Sequence, residues 1–461
     1  MSFTDPLKLA TEAIETYRNQ VDQNPVMPPQ DLTPLRQKLQ TFTFEYPIEA
    51  KDLIEEVANT LTNYAVHTTN KNYFGLFNPD VVPISVAADA IVAGFNPQLA
   101  AYSHNPAANE IERHTLAFFL KLAGLEGGTG AFTSGGSEAN QSAVIVALTH
   151  QFKDFSDKGK QGQPTLYVSA EAHHSFVKIA HACGIGREAV REVEVNEDLR
   201  MSLPALAQQI ARDKEQGKTP FMVVGTAGTT SAGAIDPLPF IAKYCRQNNL
   251  WFHVDAAWGG AALLSPALSL HLAGIELADS ITIDAHKWLS VPMGAGMFLC
   301  AHPKAVQTAF GIQTSYMPAP LDTPDPYLSS IQWSRRFTGL KVFMALANLG
   351  QDGYRDQIEH QSAMSHLLAT RLKEEGCQIT TNSPFATTTF KPPTGTAKEC
   401  VQRIHQQRRA WVSEAKLSHH GSVVRACVTN YRTSEEEIEA LVKEVVPSSL
   451  KASPQERSGM D

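Results

Sequence analysis

The sequence lacks the long basic and apolar blocks that identify several classes of protein. Its 39 Lys and Arg residues against 47 Asp and Glu residues give a formal net charge of −8, and no long basic run is present. This balance argues against nucleic acid as a partner. The most apolar long stretch, residues 259–278, contains Pro266, His271 and Glu276. It therefore fails as a membrane span and predicts buried helix and turn.

Cysteine is scarce, and no two cysteines lie close together in the sequence. The six are Cys183, Cys245, Cys300, Cys377, Cys400 and Cys427. Such spacing indicates neither a metal site nor a disulfide framework. The chain also opens without the charged-then-apolar pattern of a secretion signal. We therefore expect a soluble protein of a reducing compartment, most simply the cytoplasm.

The glycines form no dinucleotide-binding fingerprint. Gly128 and Gly130 would need a third glycine at position 133, which is threonine. Gly294 and Gly296 would need one at position 299, which is leucine. The spacing argues against a nicotinamide or flavin dinucleotide site of this type. The sequence also shows no internal repeat and no low-complexity tract.

What the chain does contain is ample apolar sequence, arranged in alternating strand and helix patterns. With 461 residues, 43% of them hydrophobic, it can bury a large core in about two folding units. The predicted strands are residues 165–170, 221–225, 251–254, 280–283 and 296–300. Helical patterns lie between them, at residues 202–216 and 238–247. This alternation predicts an α/β domain with a mostly parallel sheet.

The flanking segments suggest further division. Residues 1–75 predict a helical arm, broken into two helices at Pro28-Pro29, that needs a surface such as a partner subunit to lie against. We expect a large domain over 76–310 and a lid loop and linker over 311–338, where prolines are frequent. A smaller α+β domain is expected over 339–450, beginning with a helix at 339–349. Residues 451–461 predict a disordered tail.

Lys287 is the most informative residue, because it follows a predicted strand and lies between His286 and Trp288. Asp255 ends another predicted strand. Ligand sites of open α/β sheets lie at the carboxyl edge of the strands. Pyridoxal phosphate needs an aspartate for its ring nitrogen and a lysine for its aldehyde, and the small Ala257 lets a ring lie flat. Taken singly, a turn-capping aspartate and a solvated lysine remain the alternatives.

Two further motifs follow predicted strands. Residues 133–140 are rich in glycine and serine and precede a helical pattern, which favours phosphate binding; the alternative is a plain serine N-cap. His173 can stack on a flat ring and pass protons, with a capping histidine or a metal ligand as alternatives. The hydroxyl-rich turn 226–236 can hold phosphate, a cofactor hydroxyl or a substrate carboxylate, or it is an ordinary turn.

Together these motifs closely resemble the group II pyridoxal-phosphate-dependent amino-acid decarboxylases. That family includes the aromatic, glutamate, cysteine-sulfinate and diaminobutyrate decarboxylases. The resemblance runs from about residue 40 to 445. The segments that carry it are residues 73–79, 105–112, 133–140, 173–175, 228–230, 253–258, 284–288 and 333–337.

The resemblance implies the fold-type I architecture, which is aspartate-aminotransferase-like, pyridoxal 5'-phosphate as cofactor, and a homodimer with the N-terminal helices wrapped on the partner. It implies that Lys287 binds the cofactor covalently, Asp255 pairs with the ring nitrogen, and His173 and Ala257 pack on the two ring faces. The residues implied around the phosphate are Ser134, Gly135, Gly136, Ser137, Thr230 and His286. Phe77 and Asn78 are implied on the substrate side.

One position departs from the family. Many members have Asn-Pro before the His-Lys pair, whereas this chain has Asp284-Ala285. A carboxylate beside a phosphate dianion is unfavourable. We therefore expect Asp284 to contact something other than the phosphate.

The implied reaction is decarboxylation of an L-amino acid to the amine and carbon dioxide. The 74–77 segment and Trp288 favour an aromatic or apolar side chain, whereas an acidic one would require an arginine such as Arg425. The family uses a lid tyrosine as proton donor, and Tyr316 and Tyr327 are both candidates. The alternatives are a decarboxylating aldehyde synthase, another fold-type I lyase or aldolase, and a non-catalytic scaffold. Retention of Lys287 with its partners argues against the last.

Overall fold

The computed structural model describes residues 4–312 and 323–447. Its main feature is a seven-stranded sheet with the strand order β1-β7-β6-β5-β4-β2-β3. The strands are β1 (Thr129–Thr133), β2 (Pro164–Ser169), β3 (Val190–Val193), β4 (Thr219–Thr226), β5 (Trp251–Asp255), β6 (Ser280–Asp284) and β7 (Gly296–Cys300). Pairs from β3 through β6 are parallel, and β7 is antiparallel to both β6 and β1. The mostly parallel sheet is confirmed.

All five predicted strands are present, whereas β1 and β3 were not predicted. Both missed strands lie at the edges of the sheet, and β3 reads Val-Arg-Glu-Val. The central strands β2, β5, β6 and β7 are buried throughout their length. A strand buried on both faces has a continuous apolar pattern, and a half-covered edge strand does not.

A second, antiparallel sheet lies in the C-terminal part of the chain. Its order is β10-β11-β9-β8. The strands are β8 (Gln378–Ser383), β9 (Thr387–Lys391), β10 (Ser413–Leu417) and β11 (Gly421–Cys427). A separate small α+β region was expected there, and the domain limits given above stay a prediction.

Fifteen α-helices are assigned within the described ranges. They are α1 (Thr4–Gln20), α2 (Thr33–Gln40), α3 (Ala50–Tyr64), α4 (Pro83–Phe95), α5 (Pro106–Leu122), α6 (Gly136–Gln151), α7 (Phe155–Lys158), α8 (Ser175–Ala182), α9 (Leu203–Glu215), α10 (Leu238–Asn248), α11 (Pro266–Ser269), α12 (Pro303–Phe310), α13 (Gly339–Glu374), α14 (Ala397–Gln407) and α15 (Glu435–Val445). Helices α9 and α10 confirm the two predicted between strands. No helix in the described ranges is both long and apolar enough to cross a membrane.

The N-terminal arm has three helices where two were predicted. The break at Pro28-Pro29 is correct, but a second break, which contains Pro47, separates α2 from α3 and was not predicted. None of the three helices contains a buried residue. Their apolar side chains therefore remain partly or fully exposed to solvent in the single chain.

Candidate active site

A cavity of about 360 Å³ opens at the carboxyl edge of the parallel strands. Eleven predicted site residues line it: Phe77, Ser134, Gly135, Gly136, Ser137, His173, Thr230, Asp255, Ala257, His286 and Lys287. The other lining residues are Glu138, Asn140, Thr226, Gly228, Trp258, Asp284 and Met293. A larger cavity of about 920 Å³ lies by the opposite ends of β2 and β4 and is lined by none of the predicted residues.

Lys287 stands in the turn after β6, beside the carboxylate that ends the strand. Its Nζ lies 3.3 Å from Asp284 Oδ2, and its backbone N–H donates to the Asp284 carbonyl oxygen. The side chain is 22% exposed, whereas that of Asp284 is 3% exposed. The amine therefore faces the cavity with one anionic neighbour.

Asp255 is buried at the end of β5, and protein donors reach both of its oxygens. Oδ1 accepts a hydrogen bond from the backbone N–H of Ala257 (3.1 Å), and Oδ2 accepts one from Asn140 Nδ2 (2.9 Å). A carboxylate offers about four lone pairs, so it can still accept from a ligand. Asp255 is thus fixed and keeps accepting capacity toward the cavity.

A chain of buried hydrogen bonds continues behind Asn140. Asn140 Oδ1 lies 3.0 Å from His253 Nε2, and His253 Nδ1 lies 2.9 Å from Ser280 Oγ. Trp251 Nε1 donates to the same Ser280 oxygen (2.9 Å). Burial lowers the pKa of His253 to about 4, so the ring is neutral at pH 7. Since an amide oxygen only accepts, the ring proton is assigned to Nε2.

The glycine-rich turn before α6 leaves no room for side chains. A Cβ on Gly136 would lie 2.8 Å from Asp284 Oδ2, and one on Gly135 would lie 3.1 Å from His286 Cε1. The first N–H groups of α6 have no intrahelical acceptor and carry the positive end of the helix dipole. Ser134 donates to Glu138 Oε2, which also accepts from Gln332 Nε2. Residues 134–137 thus form a cradle with N–H groups that can bind an anion. Glu138 links this cradle to Gln332, which follows the gap in the described residues.

The two predicted histidines lie on the cavity, and both are shifted toward the neutral form. Partial burial lowers the pKa of His173, whose Nδ1 accepts from the Ser175 backbone N–H. Burial likewise lowers the pKa of His286, whose Nδ1 accepts from the Ala295 backbone N–H. Both rings therefore keep Nε2–H as the proton that they can offer.

An aromatic stack forms one wall of the cavity. The Phe77 ring stacks on Trp258, with ring centroids 4.1 Å apart, and Lys287 Nζ lies 5.8 Å from the Phe77 centroid. Trp288 had been expected in this wall, but it is fully buried behind Trp258 and donates to Gln361. The sequence favoured an aromatic wall correctly and chose the wrong tryptophan.

Arg425 lies behind the wall and does not line the cavity. Its guanidinium carbon is 4.6 Å from the Phe77 centroid, Nε donates to the Thr230 carbonyl oxygen and Nη1 donates to the Gly75 carbonyl oxygen. Nη2 is buried with no partner among the described residues. Burial lowers the pKa of this guanidinium.

Three other predicted residues are not among the described residues that line the cavity. Asn78 is next to it, with Nδ2 3.7 Å from Met293 Sδ. Tyr327 is buried, stacks on Trp333 and does not line the cavity. Tyr316 lies outside the described residues.

The donor set fits pyridoxal phosphate. The cradle offers N–H groups and the Ser137 hydroxyl for a phosphate, Asp255 can accept from a ring nitrogen, and Lys287 supplies the amine. Asp284 and Glu138 are the two cavity carboxylates beside the cradle, and their charges oppose a phosphate.

Comparison with known proteins agrees with this chemistry. Residues 34–390 match the pyridoxal-dependent decarboxylase conserved domain. The chain is 28% identical over 459 residues to the aromatic-L-amino-acid decarboxylase of Bacillus atrophaeus, covering 95% of this chain and 94% of the relative. It is 32% identical over 354 residues to the acidic amino acid decarboxylase GADL1 of Xenopus tropicalis, covering 74% and 68%. The crystal structure of mouse CSAD matches with a TM-score of 0.90 at 25% identity, covering 96% of this chain and 98% of that one.

Proposed function

Because the chain belongs to the pyridoxal-dependent decarboxylase family, it is an amino-acid decarboxylase of fold type I that uses pyridoxal 5'-phosphate, and we propose that Lys287 holds this cofactor. The bound cofactor accepts the electron pair that remains when the substrate loses carbon dioxide. Lys287 is the one lysine or arginine among the described residues of the cavity, which supports the assignment. Asp255, held by Asn140 and Ala257, is proposed to pair with the ring nitrogen.

The remaining cavity residues supply contacts and protons. The cradle at the start of α6 is proposed to bind the phosphate through Gly136 and Ser137, with Ser134, His286 and Thr230 beside it. His173 is proposed to stack on one ring face and Ala257 to pack on the other. The proton that completes the amine product is proposed to come from a lid tyrosine, Tyr316 or Tyr327. A lid that delivers this proton promptly favours the amine over an oxidised aldehyde.

We propose an aromatic L-amino acid as substrate. The single observation that carries this choice is the Phe77 ring, which stacks on Trp258 and lies 5.8 Å from Lys287 Nζ. A flat apolar side chain attached to the reacting carbon can pack on this wall and bury area there.

An acidic substrate is the second candidate, because Arg425 Nη2 is buried without a partner. A guanidinium binds carboxylate and sulfinate groups well. Its use would require the Phe77 ring, now 4.6 Å from the guanidinium carbon, to move aside. The named activities of relatives include both aromatic and acidic substrates.

We further propose a cytoplasmic homodimer. The three N-terminal helices bury none of their residues within the chain, which supports a second copy as their cover. All six cysteines are free, and burial raises the pKa of Cys300 to about 12. Unpaired, unreactive thiols suit a reducing compartment.

The test is carbon dioxide release from the twenty amino acids and cysteine sulfinate, with the cofactor supplied. We expect release from an aromatic amino acid, with the amine as product. Lys287→Ala should reduce release to the uncatalysed background because the covalent attachment is lost, whereas Lys304→Ala, on the exposed face of α12, should leave it unchanged. Wild-type rates in Lys287→Ala would contradict the mechanism. Release from acidic substrates alone would favour the second candidate, and aldehyde with peroxide would identify an oxidative outcome.

A further inference from the structure

Asp284 places a negative charge against the anion cradle. It is the last residue of β6 and is 4% exposed. A Cβ on Gly136 would lie 2.8 Å from Asp284 Oδ2, and one on Gly135 would lie 3.8 Å from Oδ1. The carboxylate therefore borders the turn where the phosphate is proposed to bind.

The partners of Asp284 within the described residues leave it poorly compensated. Its one cationic neighbour is Lys287, whose Nζ lies 3.3 Å from Oδ2. Oδ1 lies 3.3 Å from His286 Nδ1, but that nitrogen already accepts the Ala295 N–H and has no proton to donate. Accordingly, Oδ1 has no hydrogen-bond partner in the described part of the chain. A buried carboxylate oxygen in this state costs folding free energy unless something else compensates it.

We propose that Asp284 weakens the grip on the cofactor's phosphate, so that this protein exchanges its cofactor readily. The proposal rests on the assignment of the cofactor to this cavity. In the empty site the Lys287 ammonium balances Asp284. Binding of the phosphorylated cofactor adds a dianion beside the carboxylate, and this added charge is what pyridoxal lacks. Like charges held close in a poorly solvated site repel strongly, and no other lysine or arginine lines the described cavity.

The experiment measures cofactor affinity, not turnover. Cofactor-free wild-type protein, Asp284→Asn and Asp284→Ala are each titrated with pyridoxal phosphate and with pyridoxal, which lacks the phosphate. Cofactor absorbance and tryptophan fluorescence follow binding. We expect both variants to lower the Kd for pyridoxal phosphate by about tenfold or more, because one close like charge is removed. The Kd for pyridoxal should stay within about twofold of wild type, a change worth under 0.5 kcal/mol.

Two controls accompany the titration. Asp198→Asn makes the same charge change at an exposed position away from the cavity and should leave both affinities unchanged. Asp284→Ala removes the charge without adding an amide, which separates lost repulsion from a new hydrogen bond. Thermal unfolding checks that each variant is folded.

The outcomes separate cleanly. Tighter binding of pyridoxal phosphate alone, in both variants, supports the proposal. If both ligands gain affinity equally, the effect acts through Lys287 and the proposal is overturned. An unchanged or weaker affinity of the variants for pyridoxal phosphate would also overturn the proposal. If wild-type protein binds neither ligand at Lys287, the assigned cofactor site itself fails, which is a distinct result.

Discussion

Asp255 lies at the end of a hydrogen-bond chain whose donors all point the same way. Trp251 donates to Ser280, Ser280 to His253, His253 to Asn140, and Asn140 to Asp255. Successive bonds of one direction polarise each other in a low-dielectric interior. The chain therefore fixes the Asn140 amide so that its N–H donates to Asp255, and this holds the carboxylate in place at the cavity.

Replacing Asn140 by Ala should damage catalysis more than substrate binding. The change removes the nearer acceptor of the buried His253 N–H, leaving Thr282 Oγ1 at 3.4 Å, and it removes a donor from Asp255. We expect kcat to fall by about tenfold to a hundredfold with little change in KM, by analogy with lost supporting partners of metal ligands. The free energy of unfolding should fall by about 2 kcal/mol. Steady-state kinetics and urea unfolding measure both.

Asn248→Ala is the control for that variant. Asn248 bonds the Tyr244 carbonyl oxygen within its own helix, away from the cavity. Unchanged kcat in Asn140→Ala would contradict a positioning role for the chain, and an equal loss in Asn248→Ala would point to a general effect of amide removal.

His253 should make the protein less stable in mild acid. Burial lowers its pKa to about 4, below the ordinary value of 6.5. Between these values the unfolded chain takes up a proton and the folded one does not, so the free energy of unfolding falls as pH decreases. The full effect is about 3 kcal/mol between pH 6.5 and 4.

Urea unfolding at several pH values, compared with His253→Gln, isolates this contribution. The variant lacks the titrating group, so its stability should fall less steeply between pH 6.5 and 5. If the free energy of unfolding falls equally with pH in the two proteins, His253 does not titrate as proposed.

At the scale of the elements, the long helix α13 contains a sharp break. Gly350 has φ 65° and ψ 177°, a conformation essentially restricted to glycine, inside the range Gly339–Glu374. The sequence predicted only the first part, residues 339–349. The helix can therefore change direction at Gly350 as it passes from the large sheet region to the C-terminal sheet.

Gly350→Ala should lower the free energy of unfolding by about 1–3 kcal/mol, because alanine is strained at this φ and ψ. Gly353→Ala in the same helix is the matched control. There the added Cβ would lie 3.2 Å from Leu349 Cβ, and alanine is the better helix former, so a change within about 1 kcal/mol is expected. Thermal unfolding of the two variants distinguishes backbone strain from helix propensity. Equal changes in the free energy of unfolding would show that alanine is not strained at position 350.

Elements were predictable from sequence where burial was complete. The central strands have continuous apolar patterns, and helices α9 and α10 show clear periodicity. The edge strands β1 and β3 carry no such signal. The gap between α2 and α3 contains Pro47, so this break could also have been predicted. The conformation of Gly350 also depends on packing of the whole helix, which a local pattern does not contain.

At the scale of the whole molecule, the uncovered N-terminal arm argues for a second copy. Phe44 is 92% exposed, Tyr46 79% and Leu61 61%. Exposed aromatic and aliphatic side chains clustered in one short segment are costly in water and typical of interfaces.

Light scattering after gel filtration should therefore give the mass of two chains. Leu61→Asp on α3 should shift the protein toward the monomer, because it puts a charge into an apolar contact. Phe240→Asp on α10, also an exposed apolar position at 62%, should remain a dimer. A monomeric wild-type protein would contradict the homodimer.

The sequence located most of the cavity because its polar residues follow successive parallel strands, whose carboxyl ends meet at one edge. It could not assign the aromatic wall, because Trp258 rather than Trp288 lines the cavity and Arg425 comes from the other sheet. Such contacts depend on how two regions pack, and no local pattern records them.

The guanidinium of Arg425 joins carbonyl groups of Gly75 and Thr230, which are distant from each other and from Arg425 along the chain. During synthesis Lys287 and the cradle leave the ribosome first, and Arg425 follows roughly ten seconds later at common elongation rates. Until then the two hydrogen bonds that Arg425 makes behind Phe77 are absent. A nascent chain can thus have every cradle residue and still lack the guanidinium that bridges Gly75 and Thr230.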